Sequence, residues 1–208
     1  MSIVDDAELL QAWRAGARGA GEQLVQRHFR TVYGFFRNKL DGDVEDLVQR
    51  TFLRCVEARD AFRGEASFRT YLLAIARNEL FGHYRGRGVP LDPATTSFAV
   101  AAGGASPTEL LGARQEQRLL VRALRSLPLD DQILLELFYF EQLTGPELAR
   151  VLEVPEGTCR TRLRRARALL ERALQELAQA GEALRATTDD LERWLGSLRE
   201  LIRNERGA

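Results

Sequence analysis

The chain has 208 residues, room for one large domain or two small ones, and its 30 basic residues balance 30 acidic ones to a formal net charge of zero. An apolar content of 45% and a charged content of 29% are ordinary for a folded chain, and no apolar run approaches the roughly 18 residues a membrane span needs. Two cysteines, Cys55 and Cys159, are too few for a disulfide framework, and the opening Met-Ser-Ile-Val-Asp-Asp has no basic and apolar regions of a secretory signal, so the expected location is the cytoplasm, away from any membrane.

Residues 5–85 read as helices throughout. Leu9, Leu10 and Trp13 mark a short amphipathic segment, ended by the small-residue run from Gly16 to Gly21. Leu24, Val25, His28, Phe29, Val32, Phe35, Phe36 and Leu40 then recur at three- and four-residue steps, the period of a helix that buries one face. Asp41-Gly42-Asp43 breaks that pattern, and Val44, Leu47, Val48, Phe52, Leu53 and Val56 resume it in a third helix. After the break Phe62-Arg63-Gly64-Glu65, a fourth helix carries Phe68, Tyr71, Leu72, Ile75, Ala76 and Leu80. With no alternating, strand-like stretch, the expected fold class is all-α.

Residues 86–108 are rich in Gly, Pro, Ala, Ser and Thr, bury little apolar surface and read as a flexible linker. Helical period returns at Leu110, and 116–174 reads as a second compact helical domain. A last amphipathic stretch runs from Leu184 to Ile202, with Leu191, Trp194, Leu195, Leu198 and Ile202 on one face and a helix-start signal at Thr187-Thr188-Asp189-Asp190.

The net charge of zero conceals a pattern. Residues 61–88 carry five arginines against two glutamates, and residues 144–172 carry seven against four, with a net acidic segment between them. In the second basic segment, Thr144 and Glu147 form a capping box, Leu148, Ala149 and Leu152 give a short helix its apolar face, and Val154-Pro155 interrupts it, with Pro155 suited to the first turn of the next helix. In that next helix Cys159, Leu163, Ala166 and Leu170 form the buried stripe, and Arg160, Arg164 and Arg167 stand opposite, flanked by Thr158, Thr161, Arg162 and Arg165. A short helix, a tight turn and a second helix with a cationic face is the layout that sets a recognition helix in the DNA major groove. Six arginines between 160 and 172 repel one another unless an anion faces them, which argues against a merely solvated hairpin.

At these residues the chain resembles a family. Leu127-Pro128 through Leu137, the helix opening at Leu143-Thr144, and the run Glu156 to Arg167 are similar to region 4 of the extracytoplasmic-function sigma factors, the small specificity subunits of bacterial RNA polymerase. Independently, Asp43 to Phe52, Phe62-Arg63-Gly64, and Ser67 to Leu72 running into Ile75-Ala76-Arg77-Asn78 resemble sigma region 2. The resemblance covers about residues 5–175 and implies region 2 over 1–87, a linker over 88–112 and region 4 over 113–177; residues 178–208 extend beyond it, and their own amphipathic pattern reads as a C-terminal extension helix.

The implied roles follow position by position. Asp46, Leu47, Gln49 and Phe52 match the helix that packs on the β′ clamp helices of core polymerase. The region from Phe62, Arg63 and Gly64 to Ser67 and Phe68, with Asn78, matches the pocket for a base flipped from the −10 element; aromatic rings and an amide suit such a base. Lys39, Arg63, Arg69 and Arg77 are candidates to hold the phosphates of that strand. Thr158, Arg160, Thr161, Arg164 and Arg165 match the positions that meet the −35 element. The implied partners are core polymerase (β′ clamp helices and β flap), promoter DNA and an anti-sigma factor, with no cofactor. Cys159 stands where the family has an apolar β-branched residue, and Gly145-Pro146, where it has a bulky residue followed by an acidic one, is expected to shift that helix start by a residue.

An enzyme is not expected. His28 and His83 lie far from either cysteine without metal-ligand spacing, and there is neither a glycine-rich phosphate loop nor a nucleophile elbow. The alternative is a helix-turn-helix regulator that makes no contact with polymerase.

Overall fold

The computed structural model describes residues 4–37, 39–40, 42–62, 64, 66–88, 115–179, 195–196 and 199–200, and every regular element among them is an α-helix. The chain divides into two compact units, Met1–Val89 and Pro90–Ala208.

In the first unit, α1 (Asp6–Arg14) opens on a capping box: Asp5 Oδ1 accepts from the Ala7 N–H at 2.7 Å, and Glu8 Oε2 from the Asp5 N–H at 3.4 Å. Gly16, at φ +99°, supplies the left-handed residue that ends the helix. The small-residue run after it is not the break expected, because α2 (Arg18–Arg37) begins inside it. The reason is packing. A Cβ on Gly21 would lie 2.5 Å from Trp13 Nε1, so the indole of α1 seats against bare helix backbone.

α3 (Val44–Glu57) follows Asp43, which takes the left-handed conformation that Asp tolerates better than most residues (φ +59°). α4 (Phe68–Gly86) starts at Ser67, whose Oγ accepts from the Thr70 N–H at 3.1 Å. α1 packs on α2, α2 on α3 and α4, and α3 on α4. Leu24, Val32 and Phe36 of α2, Leu47 of α3, and Leu72, Leu73, Ala76 and Leu80 of α4 have no exposed surface. Each such large side chain contributes roughly 1.5–3 kcal/mol when fully buried.

Three residues assigned to apolar stripes instead face outward: Phe29 is 45% exposed, Leu53 53% and Val56 41%. On α3 the buried stripe is Val44, Leu47, Val48, Thr51 and Cys55. At 3.6 residues per turn, Leu53 falls opposite that stripe. Lys39 also departs from expectation. It is wholly buried, its Nζ donating to Phe35 O at 2.7 Å and lying 4.1 Å from the centre of the Phe35 ring, so it holds no strand phosphate.

In the second unit, α5 (Gln115–Ser126), α6 (Leu129–Tyr139) and α7 (Gly145–Leu152) each pack on α8 (Glu156–Gln179). Their core includes Leu120, Ala123, Ile133, Leu135, Leu137, Leu148, Val151, Ala166 and Leu170. Glu147 Oε2 accepts from the Thr144 N–H at 2.9 Å, so the start of α7 is not displaced by Gly145-Pro146. A Cβ on Gly145 would meet Glu156 Oε1 at 3.2 Å, a tight approach to a half-exposed side chain. Pro155 precedes α8 rather than standing in its first turn, its carbonyl accepting the first helical bond, from the Cys159 N–H at 3.1 Å.

The expected linker over 88–112, apart from Gly88, lies outside the described residues, as does most of the expected tail helix. Within that tail, residues 195–196 and 199–200 are helical and Leu195 is 1% exposed. Among the described residues no helix is long and apolar enough to cross a membrane.

Candidate functional site

Three surfaces gather most of the residues that the sequence singled out. The first is a groove of about 710 Å³ in the first unit. Phe62, Gly64, Ala66, Ser67 and Phe68 form one side, and α1 with Arg27 of α2 forms the other. Gly64, at φ +73°, lets the loop turn. Phe62 is half-buried; its ring lies 4.7 Å from that of Tyr71 and edge-on to Phe68 at 6.4 Å. Phe68 is buried, so it backs the groove as core rather than offering an open stacking face. Asn78 is exposed and does not line the groove; it stands seven residues beyond Tyr71 on α4, about 10 Å at 1.5 Å per residue. Arg63 lies outside the described residues. Arg69 is half-buried, and Arg77 lies over the Phe81 ring at 4.6 Å.

The second surface is the outer side of α3. Asp46 is exposed and pairs with Arg50 at 2.8 Å, and Gln49 is exposed beside it. Phe52 is half-buried, its ring parallel to Phe29 of α2 at 6.5 Å, and Phe29 in turn stacks on Tyr33 at 6.0 Å. Leu47 is fully buried and offers nothing to a partner; its apparent place in the motif is core packing. Phe29, Leu53 and Val56 were missed as surface residues, because their spacing also fits a buried stripe. An apolar cluster with a charged rim is the mark of a protein contact.

The third surface is the outer face of α8, where Arg160, Thr161, Leu163, Arg164, Arg167, Ala168 and Glu171 line a shallow groove. Arg160 is 81% exposed and shares Glu156 at 3.3 Å; Arg164 is exposed. Thr161 Oγ1 bonds back to Gly157 O at 3.1 Å, and Thr158 is half-buried. Arg165, expected at the −35 element, is engaged within the unit. Its guanidinium reaches Asp131 Oδ1 at 3.0 Å and Oδ2 at 2.8 Å, tying α8 to the first turn of α6. Arg167 is stacked over Phe138 at 5.1 Å and Tyr139 at 5.3 Å.

A buried histidine adjoins the first groove. His28 is buried with Nε2 2.7 Å from Asp6 Oδ2, so it links α2 to α1. Burial holds its pKa below the ordinary 6.5; Asp6 pulls upward without prevailing, and Arg27 and Arg69 add to the lowering. Folded protein therefore binds this proton less readily than unfolded chain. Stability is full above 6.5 and declines as pH falls from there toward the folded value. The thermal midpoint is expected to drop across that window, and His28→Gln to flatten this part of the profile. An equal slope in the variant would assign the dependence to another group.

Fold and surfaces together define an all-helical protein of two units, the second a helix-turn-helix unit with a cationic outer helix. Residues 24–89 match the model of sigma-70 region 2, and residues 117–170 match that of sigma-70 region 4. The chain is 30% identical over 183 residues to the ECF RNA polymerase sigma-E factors of Salmonella typhimurium and Escherichia coli K12, covering 83% of this chain and 95% of each relative. The RNA polymerase sigma-H factor of Pseudomonas aeruginosa is 28% identical with the same coverage. Among solved structures, CnrH in complex with the cytosolic domain of CnrY superposes with a TM-score of 0.61 at 26% identity, covering 85% of this chain and 99% of that one. RpoE of Bartonella quintana, in complex with the anti-sigma factor NepR, shares the fold with a TM-score of 0.55, covering 74% and 96%.

The chain belongs to the extracytoplasmic-function sigma factors, and it is a promoter-recognition subunit of RNA polymerase that regulates transcription initiation. A regulator without polymerase contact gives way to this, since region 2 is present beside region 4.

Proposed function

We propose that this sigma factor works through the three surfaces in turn, with region 2 over 1–87 and region 4 over 113–177 joined by a linker over 88–112. Asp46, Gln49 and Phe52, extended by Phe29, Leu53 and Val56, dock on the β′ clamp helices, and region 4 also meets the β flap. The groove beside Phe62, Gly64 and Ser67 takes one base of the opened −10 element. Arg160, Thr161 and Arg164 meet the −35 element, with Thr158 at the edge. The chain acts in the cytoplasm with polymerase, and it adds no catalytic group of its own. An anti-sigma factor is a further partner, as NepR is for the fold neighbour RpoE of Bartonella quintana.

The observation that carries this reading is the division of labour on α8. Arg165 is tied to the buried Asp131 and Arg167 is stacked on Phe138 and Tyr139, while Arg164 and Arg160, the latter sharing only the exposed Glu156 one turn away, stand exposed on one face. Arginine there suits a guanine edge or a phosphate. Run-off transcription with core polymerase on a library of genomic fragments identifies the promoter. On it, Arg160→Ala or Arg164→Ala is expected to cost about 1–3 kcal/mol at one base pair if that side chain reads a base edge, and to weaken all sequences alike if it holds a phosphate. Undiminished −35 dependence in both variants would remove α8 from the interface.

A further inference from the structure

The groove of the first unit has a wall that no motif announces. α1 lies outside the residues that match region 2, yet Val4, Asp6, Leu10 and Gln11 line the groove opposite the loop. At the end of that helix Arg14 crosses to the loop. Its Nε donates to Arg59 O at 3.0 Å, and one terminal nitrogen donates to Arg59 O at 2.5 Å and to Phe62 O. These carbonyls belong to the loop that follows α3, two and five residues beyond its last residue, so Arg14 bridges two turns of the loop backbone. From the other side, Tyr71 Oη donates to Ala58 O at 3.2 Å and the Tyr71 ring meets that of Phe62. Phe62 is thus held through its backbone by α1 and through its ring by α4. Trp13, seated against Gly21 and under the Arg59 guanidinium at 5.6 Å, fixes α1 in place.

We infer that α1 is part of the strand-capture site and that Arg14 is its positioning residue, setting the Phe62 backbone before DNA arrives. The inference rests on the reading that the groove takes an unstacked base. The lining supports a base over a phosphate: Asp5 and Asp6 are among it, and the guanidinium groups of Arg14 and Arg27 donate to protein oxygens. Pre-setting the loop removes the ordering cost from the moment of capture. A planar fork is needed to span two carbonyls, and lysine presents only a point charge.

The test uses holoenzyme reconstituted with the full chain on the strongest promoter from the run-off selection, both fully duplex and pre-melted across the −10 element. Permanganate reactivity of unpaired thymines reports opening. Arg14→Ala and Arg14→Lys are expected to slow opening of the duplex promoter about tenfold, the effect of losing one charge-assisted hydrogen-bonding group, and to slow the pre-melted promoter less. Core binding is expected to stay unchanged. Phe62→Ala separates the two ideas. If Phe62→Ala is impaired while both Arg14 variants open the duplex normally, the groove reading stands and the role of α1 falls. If Phe62→Ala also opens normally, the groove reading falls and takes this inference with it. Loss of core binding in step with thermal midpoint in both Arg14 variants would make Arg14 a structural tie only.

Discussion

Arg165→Ala is expected to destabilise the second helical unit by about 2–3 kcal/mol rather than to change which promoter is read. Asp131 is 1% exposed, and both of its oxygens accept from Arg165, at 3.0 and 2.8 Å. Removing the guanidinium strands a buried carboxylate, which in a fully enclosed pair costs about 3–5 kcal/mol. Two facts lower that figure here. Arg165 itself is 53% exposed, so water screens the pair, and Asp131 sits in the first turn of α6, where the helix dipole favours a negative charge by about 0.3–1 kcal/mol. Hydrogen exchange in α6 and α8 peptides of the full chain measures the effect locally, and Asp131→Asn in the Arg165→Ala background is expected to recover part of the loss. Wild-type exchange combined with loss of discrimination at a single −35 base pair would instead make Arg165 a reader of sequence.

Gly21→Ala is expected to be destabilising although it replaces glycine within a helix. The helix itself gains about 0.5–1 kcal/mol from the exchange. The new Cβ, however, would lie 2.5, 2.6 and 2.8 Å from three indole atoms of Trp13. A rigid ring cannot yield by turning a flexible end, and forcing extra volume into such a contact costs about 1–3 kcal/mol. Overpacking wins, leaving a net loss of about 1 kcal/mol or somewhat more. The displaced α1 also carries Arg14, so opening of the duplex promoter is expected to slow in the same variant. Trp13→Leu in the Gly21→Ala background relieves the clash, and the pair is therefore expected to be strongly non-additive. A thermal midpoint equal to or above that of the unmodified chain would show that α1 moves aside at no cost.

The helices were legible because their period is written in consecutive residues. The Thr144–Glu147 box and the left-handed Gly16 are local signals of the same kind, needing only neighbours a few positions away. Facing was less legible. Val44, Leu47 and Val48 share a period with Leu53 and Val56, and only the placement of α2 and α4 against α3 selects which side is inside. Motif residues suffered the same ambiguity: Leu47 and Phe68 belong to the signature yet are core, whereas Phe29 belongs to no signature and is exposed. Lys39, the one lysine of the chain, read as a surface cation because residue type says nothing of the Phe35 carbonyl and ring that enclose it.

The amino-acid order by itself determined the helical class, the cationic outer helix of the second unit and, through two motif blocks in sequence, the sigma resemblance. These depend on spacings of a few residues, over which a helix converts sequence into direction without outside help. Tertiary structure alone decided the use of each arginine. Arg14 reaches residues 45 and 48 positions away, and Arg165 reaches one 34 away. Contacts of that separation exist only once helices have packed, because the partner is chosen by which surfaces share a core and not by any local pattern. Chemically equivalent guanidinium groups thus become a loop clamp and a helix tie, while Arg160 and Arg164 stay exposed on α8, where the proposed DNA contact lies.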